Sequence, residues 1–468
     1  MKLIVALLAC AVIFCLSAAK WRRSVKAVFL ILVLEGALRK WVLPQASDMI
    51  YFLKDIILLG AYFNFYGFSA SDKKFFSKIS TINILIYMAV GWCIFQVFNP
   101  SLGSPLVGLF GLRGYLIYLP LIWMVPPLFE SVDELYKFLR SHLLLTIPVG
   151  IIGIIQFFSP TTSWINAYAN EKAQAVVTFG VTGAVRITGT FPYISGYGVY
   201  LVVCFGLLIF MLSVRQSREW QIVTFVELFL VCINSFMTGS RGTIFSEVLF
   251  LVAYLGAKGL TKPASTLRLV GKLIVPVLAI AIAASIWFSP AIHAFWLRTT
   301  ANRDVPERIS MSFTEPLSFI QLKELDGYGT GATHQAAPAL RSALDLPAGE
   351  AIGVPYEGEM GRVALELGPI GFLFWYGLRA SILMMLALTF WKLKNPFLRQ
   401  LALAACLIQA IQINSFLIFL NTYAVYYWFF SGFIFLLPKL EQIENWQREQ
   451  QLFQNDVLSS YFSDSSYR

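Results

Sequence analysis

Several arginines stand at the ends of apolar segments, where a charge is costly unless it is paired or faces water. Arg241 lies in the polar stretch Met-Thr-Gly-Ser-Arg-Gly at 237–242, directly between two apolar runs, and Arg186 shortly precedes another run. A planar guanidinium suits phosphate or carboxylate, which it can bind in a bidentate way. The pattern therefore predicts a site for an anionic ligand. Further basic residues in comparable positions are Arg39, Lys40, Arg113, Arg298, Arg303 and Arg308.

A long polar segment between 289 and 367 adds carboxylates to this set. After Arg308 it contains the glycine-rich stretch 327–331, and it ends with Glu357, Glu359, Arg362 and Glu366 before Gly368. A carboxylate can act as a general base toward a hydroxyl, although a single loop carboxylate is usually just solvated. The glycine-rich stretch does not lie between a strand and a helix, so it is not a nucleotide-binding fingerprint.

A second group of charges falls inside apolar segments. Glu35 and Arg39 have the i, i+4 spacing of a helical ion pair, and Lys54 and Asp55 follow in the next segment. We expect structural neutralisation, with all four residues joined in one buried charge network. An ion relay in a transporter would have the same residue pattern.

The composition defines the elements that must hold these residues. Of 468 residues, 57% are hydrophobic and only 13% are charged. So few charges exclude a soluble enzyme and a disordered chain. At about 20 residues per span, the composition predicts an all-α polytopic membrane protein with about 12–13 transmembrane helices. The apolar segments are 3–19, 27–43, 49–67, 79–98, 114–129, 143–160, 194–214, 220–237, 243–257, 273–289, 368–390, 400–419 and 422–438.

Basic clusters recur after every second span, which predicts that those connections are cytoplasmic. This distribution explains the net charge of +10 without a nucleic-acid partner. Residues 3–19 could serve as a signal peptide, but the basic flank 20–23 and the next apolar run favour a first membrane helix.

The chain divides into five parts on this interpretation. They are N-terminal transmembrane helices at 1–160, helices with the Arg186 and Arg241 elements at 161–290, a large periplasmic loop at 291–367, C-terminal helices at 368–438 and a cytoplasmic tail at 439–468. We expect the large loop to form a small helical cap. Six cysteines in apolar runs without CxxC spacing and three scattered histidines predict neither a disulfide framework nor a metal site.

The order of these elements resembles the O-antigen ligase and O-antigen polymerase superfamily of bacterial surface-glycan enzymes. The resemblance covers about residues 180–390. It rests on Arg-x-x-Gly-Thr-Phe at Arg186, Thr-Gly-Ser-Arg-Gly at Arg241, the arginine-containing outer loop, Gly-Tyr-Gly-Thr-Gly at 327–331, and Glu-x-Gly-x-x-Gly before the last spans. It implies a metal-independent and cofactor-free glycosyltransferase of the inner membrane that uses an undecaprenyl-diphosphate-linked glycan.

In that family, arginines engage the lipid diphosphate and a loop histidine activates the acceptor hydroxyl. Counting back from Gly368 places Glu357 at the histidine position, a departure that favours a polymerase-like member over a strict ligase to lipid A core. We therefore expect Arg241 and Arg308 to bind the diphosphate and Glu357 to activate the acceptor. Further substrate-binding candidates are Arg186, Arg303, Arg113 and Glu359, the last also as the alternative base.

The leading expectation is a surface-polysaccharide (O-antigen or exopolysaccharide) polymerase. The open alternatives are a ligase transferring the glycan to lipid A core or protein, a transporter for an anion or a lipid-linked sugar, and a non-catalytic scaffold in polysaccharide export. Expected partners are the lipid-linked glycan, the bilayer and proteins of polysaccharide export or chain-length control.

Overall fold

The computed structural model describes residues 2–68, 80–169, 176–179, 183–286, 288–301, 305–323 and 325–465. Within these ranges the fold is helical, and the only β-type pairing is an isolated bridge between Thr178 and Val185. The helices are α1 (Lys2–Ala19), α2 (Trp21–Ala37), α3 (Ser47–Tyr51), α4 (Leu53–Gly67), α5 (Thr81–Val97), α6 (Pro105–Leu116), α7 (Leu121–Leu128), α8 (Val132–Leu144), α9 (Thr146–Phe158), α10 (Ile194–Ser213), α11 (Arg218–Met237), α12 (Arg241–Thr261), α13 (Pro263–Ile286), α14 (Ser289–Ala301), α15 (Val305–Phe319), α16 (Ala337–Ala343), α17 (Glu359–Lys392), α18 (Pro396–Ile411), α19 (Asn421–Ser431) and α20 (Phe433–Ser465).

Apolar helices confirm the predicted class of all-α polytopic membrane protein. Among the described residues, eight helical segments are long and apolar enough to cross a membrane, and three shorter apolar helices accompany them. This number is below the predicted 12–13. One reason is visible in α2, which is only 17 residues long, ends at Ala37 inside the second predicted span 27–43, and carries Arg22, Arg23, Lys26 and Glu35. Helix α10 lies at the centre of the bundle, buried from Tyr200 to Leu212, and packs against α11, α12, α18 and α19.

Basic clusters far apart in sequence meet at one end of the bundle, which we call the basic end. Arg22 pairs with Glu130 and Lys26 pairs with Glu134, both at 2.6 Å. The Lys439 ammonium donates to the Pro126 carbonyl oxygen at 2.9 Å. These contacts bring together the first turns of α2, the connection between α7 and α8, and Lys439 of α20, as the alternating basic clusters predict. The cluster predicted at 73–78 lies outside the described residues.

A break in α17 shapes the opposite end, which we call the outer end. Gly368 has φ +65° and precedes Pro369, so the helix cannot continue its hydrogen bonds there. Three carbonyl oxygens next to the break receive other donors. Leu365 accepts from the Tyr328 N–H at 2.7 Å, Glu366 from the Gly329 N–H at 2.9 Å, and Leu367 from the Trp92 indole at 2.8 Å. The glycine-rich stretch is therefore a packing element that covers the break.

Close backbone packing fixes this stretch against α6. A Cβ at Gly111 would lie 2.2 Å from the Gly331 nitrogen, and the Thr330 hydroxyl donates to the Gly108 carbonyl oxygen at 3.0 Å. Helix α15 packs on α17, and α16 packs on α6. The helices of the large loop thus form the predicted cap over the outer end of the bundle.

Candidate functional site

The two arginine elements singled out in the sequence lie side by side at the outer end. The Arg186 guanidinium Nε donates to the Thr238 carbonyl oxygen at 2.8 Å, and the Ile187 N–H donates to the Met237 carbonyl oxygen at 3.2 Å. Gly239 between them has φ +62°, and a Cβ there would lie 2.7 Å from the Phe179 ring. Only glycine fits this turn without strain.

Arg241 is the first residue of α12 and is partly buried. The Ser240 hydroxyl caps the helix by accepting the Thr243 N–H at 3.4 Å. The positive end of the helix dipole and two guanidinium groups therefore occupy one locality, a setting that favours an anion.

The buried charges of α2 and α4 form the predicted network. Glu35 pairs with Arg39 at 3.2 Å and with Lys54, whose side chain is 1% exposed. Asp55 accepts from the Arg113 Nε at 2.6 Å and from the Tyr118 hydroxyl at 2.7 Å. Each carboxylate is thus neutralised by a cation within hydrogen-bond range, which keeps both stable in an apolar setting.

Tyrosine rings connect these cations to the Arg186 element. The Tyr51 ring lies 5.3 Å from the Arg39 guanidinium and 4.8 Å from that of Arg113. Arg39 also interacts electrostatically with Tyr193, whose ring lies 6.1 Å from that of Tyr168. The charge of Arg186 in turn opposes the burial that raises the pKa of Tyr168. We call this series of Arg186, Tyr168, Tyr193, Arg39, Tyr51 and Arg113 the arginine–tyrosine row.

Arg362 is a further buried cation, in the first turn of α17. Its side chain is 8% exposed, and its guanidinium lies between the rings of Tyr356 at 5.3 Å and Phe419 at 4.9 Å. The Nη1 atom makes a long contact of 3.4 Å to the Thr333 carbonyl oxygen, whereas Nε has no hydrogen-bond partner. No carboxylate pairs with Arg362 in the described part of the chain, so it is a buried cation available to a ligand.

His334 interacts electrostatically with both Arg113 and Arg362. Its ring packs at 4.7 Å from Phe110, and its Nδ1 accepts the Ala336 N–H at 3.0 Å. This bond leaves Nε2 as the protonated nitrogen of the neutral ring, a hydrogen-bond donor. Burial and the charges of Arg113 and Arg362 lower the pKa of His334 to about 4. His334 is therefore neutral at physiological pH.

Glu366 fixes the residue next to His334. Its carboxylate is fully buried and accepts the Thr333 N–H at 3.0 Å, the Thr333 hydroxyl at 2.7 Å and the Tyr115 hydroxyl at 2.8 Å. These bonds tie the loop carrying His334 to α6 and α17. Glu366 thus has a positioning role.

The two carboxylates considered as bases have different surroundings. Glu357 is exposed and directly follows Tyr356, the residue whose ring contacts Arg362. Glu359 is fully buried, pairs with Arg379 at 3.1 Å and accepts the Ile418 N–H at 3.0 Å. Because both oxygens of Glu359 are engaged inside the protein, the geometry makes it the counter-ion of Arg379. It does not support Glu359 as a base or a substrate-binding residue.

The other arginines of the large loop that the sequence predicted as ligand-binding have side chains outside the part of the chain that the structure describes. Arg303 lies outside the described residues, and the side chains of Arg298 and Arg308, on α14 and α15, do so as well. Within the described ranges, no three histidine, cysteine, aspartate or glutamate side chains come together as metal ligands.

The sequence patterns do not mark His334, and they do not assign Arg362 to the ligand site. Arg362 meets the criterion used for the other arginines, because it stands at the outer boundary of an apolar span. His334 carries no such signal, since its electrostatic partners are more than 20 residues away along the chain. No protein-family model matches the chain, and no curated protein matches it either.

Proposed function

We propose that the protein is a membrane glycosyltransferase of the surface-polysaccharide polymerase type. Its donor would be an undecaprenyl-diphosphate-linked glycan and its acceptor a sugar hydroxyl, at the outer face of a bacterial inner membrane. The observation that carries the proposal is Arg362, a buried cation beside His334 and Arg113 with no carboxylate partner among the described residues. The arginine–tyrosine row leads from Arg113 to Arg186, which lies beside the Arg241 element.

Such a surface suits the leaving group of the proposed reaction. The bond between the anomeric carbon and the diphosphate oxygen breaks, and its electron pair stays on the diphosphate. Fixed cations stabilise that developing charge without reorganising in the transition state. Arg241 at the start of α12, the neighbouring Arg186 and the buried Arg362 are the groups we assign to it, whereas Arg113 is already neutralised by Asp55. The Nε2–H of His334 adds a neutral donor.

The acceptor side needs a base and a platform for sugars. The acceptor hydroxyl oxygen attacks the anomeric carbon, and its proton passes to Glu357, an exposed carboxylate beside Tyr356. The rings of Tyr356, Phe416 and Phe419 surround Arg362 and offer apolar faces for sugar rings. Transfer to lipid A core or protein would use the same chemistry, so the ligase alternative differs only in the acceptor.

Transport of an anion or a lipid-linked sugar is the second candidate. Its support is the buried network of Glu35, Arg39, Lys54 and Asp55, since charges at membrane depth often mark ion paths. Both carboxylates of that network are paired with cations, which is the arrangement of a structural cluster. The geometry therefore favours the transferase.

The test is release of lipid diphosphate by the purified protein from an undecaprenyl-diphosphate oligosaccharide in the presence of candidate acceptors. We expect Arg241→Ala to lower the release rate by about 10²–10³-fold, the usual effect of removing one transition-state donor. Arg218→Ala is the matched control, because Arg218 begins α11 at the basic end. Wild-type turnover in both Arg241→Ala and Glu357→Gln would overturn the site assignment. Anion flux into proteoliposomes without any release would favour the transporter.

A further inference from the structure

A second polar site lies at the basic end, away from the proposed transferase site. The starts of α8, α13 and α18, the last turns of α10 and α12, and the middle of α20 line a cavity of about 590 Å³. This volume is in the range of small-ligand pockets. Arg241 and Lys258 on α12 are 17 residues apart, which is about 26 Å along a helix, so the two sites are separate.

Lys258 is the central cation of this cavity. Its side chain lines the cavity and is 3% exposed. Within the described residues its ammonium makes no hydrogen bond or ion pair, and its charged neighbours are Lys262 and Lys272. A buried ammonium among other cations is unfavourable unless an anion or water meets it.

Gln400 offers a second donor on the same wall. Its side chain is 7% exposed, and its Oε1 accepts from the Tyr254 hydroxyl at 2.8 Å. That bond fixes the amide orientation and leaves the Nε2 hydrogens without a partner in the described part of the chain. The side chain also lines the cavity. The Lys258 ammonium and the Gln400 amide, on side chains that are each more than nine-tenths buried, therefore line the same cavity.

The acidic groups of the lining are already engaged. Asp133 pairs with Lys137 at 2.7 Å, and Glu444 accepts from the Asn395 side-chain amide. Arg215 and Lys262 also line the cavity, are exposed, and have no ion-pair partner among the described residues. The lining thus has a surplus of positive charge.

We propose that this cavity binds a phosphate group, held by the Lys258 ammonium and the Gln400 amide. Lysine binds phosphate as a point charge, and the amide adds a directed hydrogen bond. The basic end is the cytoplasmic end by the positive-inside rule, and basic pockets between helices there bind anionic lipid headgroups. The phosphate can belong to such a headgroup or to a soluble phosphate compound.

The experiment measures binding to the full-length protein, delipidated in detergent, by native mass spectrometry and by the melting temperature. The probes are phosphatidylglycerol, phosphatidylcholine and inorganic phosphate. We expect Lys258→Gln to weaken binding of phosphatidylglycerol or of inorganic phosphate, whichever binds to the wild type, at least about tenfold, with zwitterionic phosphatidylcholine as the lipid control. Lys258→Arg keeps the charge and should retain most of the binding. Lys392→Gln is the matched control, because Lys392 is exposed at the end of α17 and does not line the cavity.

The probes distinguish the source of the phosphate. If Lys258→Gln loses binding of phosphatidylglycerol only, the phosphate belongs to a lipid headgroup. If Lys258→Gln loses binding of inorganic phosphate, the ligand is a soluble phosphate compound. Equal affinities in Lys258→Gln, Lys392→Gln and the wild type would overturn the proposal, and so would a wild type that binds no probe. Gln400→Leu provides an independent variant if Lys258→Gln does not fold. Transfer activity is a separate assay, so either proposal can fail alone.

Discussion

Arg362 is the buried cation on which the proposed binding of the diphosphate depends most. A buried guanidinium with an unpartnered Nε costs free energy in the unliganded protein, and a bound anion would offset that cost. We therefore expect Arg362→Gln to lower the rate of lipid-diphosphate release by about 10²-fold, as for other transition-state donors, with little change in melting temperature. The rate and the melting temperature are measured on the same preparation.

Arg341→Gln provides the control for Arg362→Gln. Arg341 lies in the same cap, where its guanidinium donates to the Leu102 carbonyl oxygen at 2.8 Å, so it supports the loop and faces no proposed ligand. This variant should keep its turnover and lose some thermal stability. The assignment of Arg362 would be refuted if the two variants had equal turnover.

His334 makes the stability of the fold depend on pH. Its pKa is about 4 in the folded protein against 6.5 in an unfolded chain, so folding favours the neutral ring. Above pH 6.5 both states are neutral and His334 has no effect. As the pH falls from 6.5 to 4, only the unfolded state takes up the proton, and the free energy of unfolding drops by at most about 3 kcal/mol. The melting temperature should fall over that window.

The variant His334→Gln isolates this contribution, because glutamine does not titrate. Its melting temperature should fall less than that of the wild type between pH 6.5 and pH 4. Parallel pH profiles for the two proteins would show that His334 is not held in its neutral form by its surroundings.

At the scale of elements, the contact between α6 and the glycine-rich stretch holds the site together. A methyl group at Gly111 would lie 2.2 Å from the Gly331 backbone, which cannot move without disturbing the cover over the α17 break. We expect Gly111→Ala to destabilise the protein by about 1–3 kcal/mol or more, the cost of overpacking. Thermal unfolding measures the effect, and turnover should fall with it because Thr333 and His334 follow this stretch.

Gly377→Ala is the matched change in another helix. A Cβ at Gly377 would meet no atom within 4 Å, and alanine is the better helix former. This variant should be neutral or stabilised by up to about 1 kcal/mol. A similar loss of stability in both alanine variants would mean that the close approach at Gly111 is not what matters.

Periodicity and hydropathy predicted the helices, because burial in a membrane imposes long apolar runs that are readable locally. They also predicted the pairing of Glu35 with Arg39, which are one helical turn apart. The role of the stretch 327–331 could not be read in this way, since its hydrogen bonds end on carbonyls freed by Gly368. The proposed roles of Arg362 and His334 depend on the Phe419 ring and on the charge of Arg113, respectively. These neighbours are far away along the chain, so no local sequence pattern predicts the contacts.

At the scale of the whole molecule, the two ends carry different chemistry. The basic end has ion pairs that link the first turns of α2 to Glu130 and Glu134, whereas the outer end holds the arginine–tyrosine row and the cap. We predict opposite sides for cysteines introduced at Ser342 in the cap and at Glu219 at the start of α11, in a cysteine-free background. An impermeant maleimide should label the cysteine at position 342 in intact cells. It should label the cysteine at position 219 only after the cells are permeabilised. Labelling of both in intact cells would contradict this topology.

The proposed transferase reaction requires that glycan transfer and diphosphate release are one event at the outer end. The direct measurement uses the wild-type protein in liposomes with a radiolabelled undecaprenyl-diphosphate oligosaccharide and follows glycan length and free lipid diphosphate together. We predict longer lipid-linked glycans and one released lipid diphosphate for each unit added, both abolished in the double variant Arg241→Ala/Arg362→Gln. Release without elongation of any acceptor, or elongation that persists in the double variant, would contradict the account.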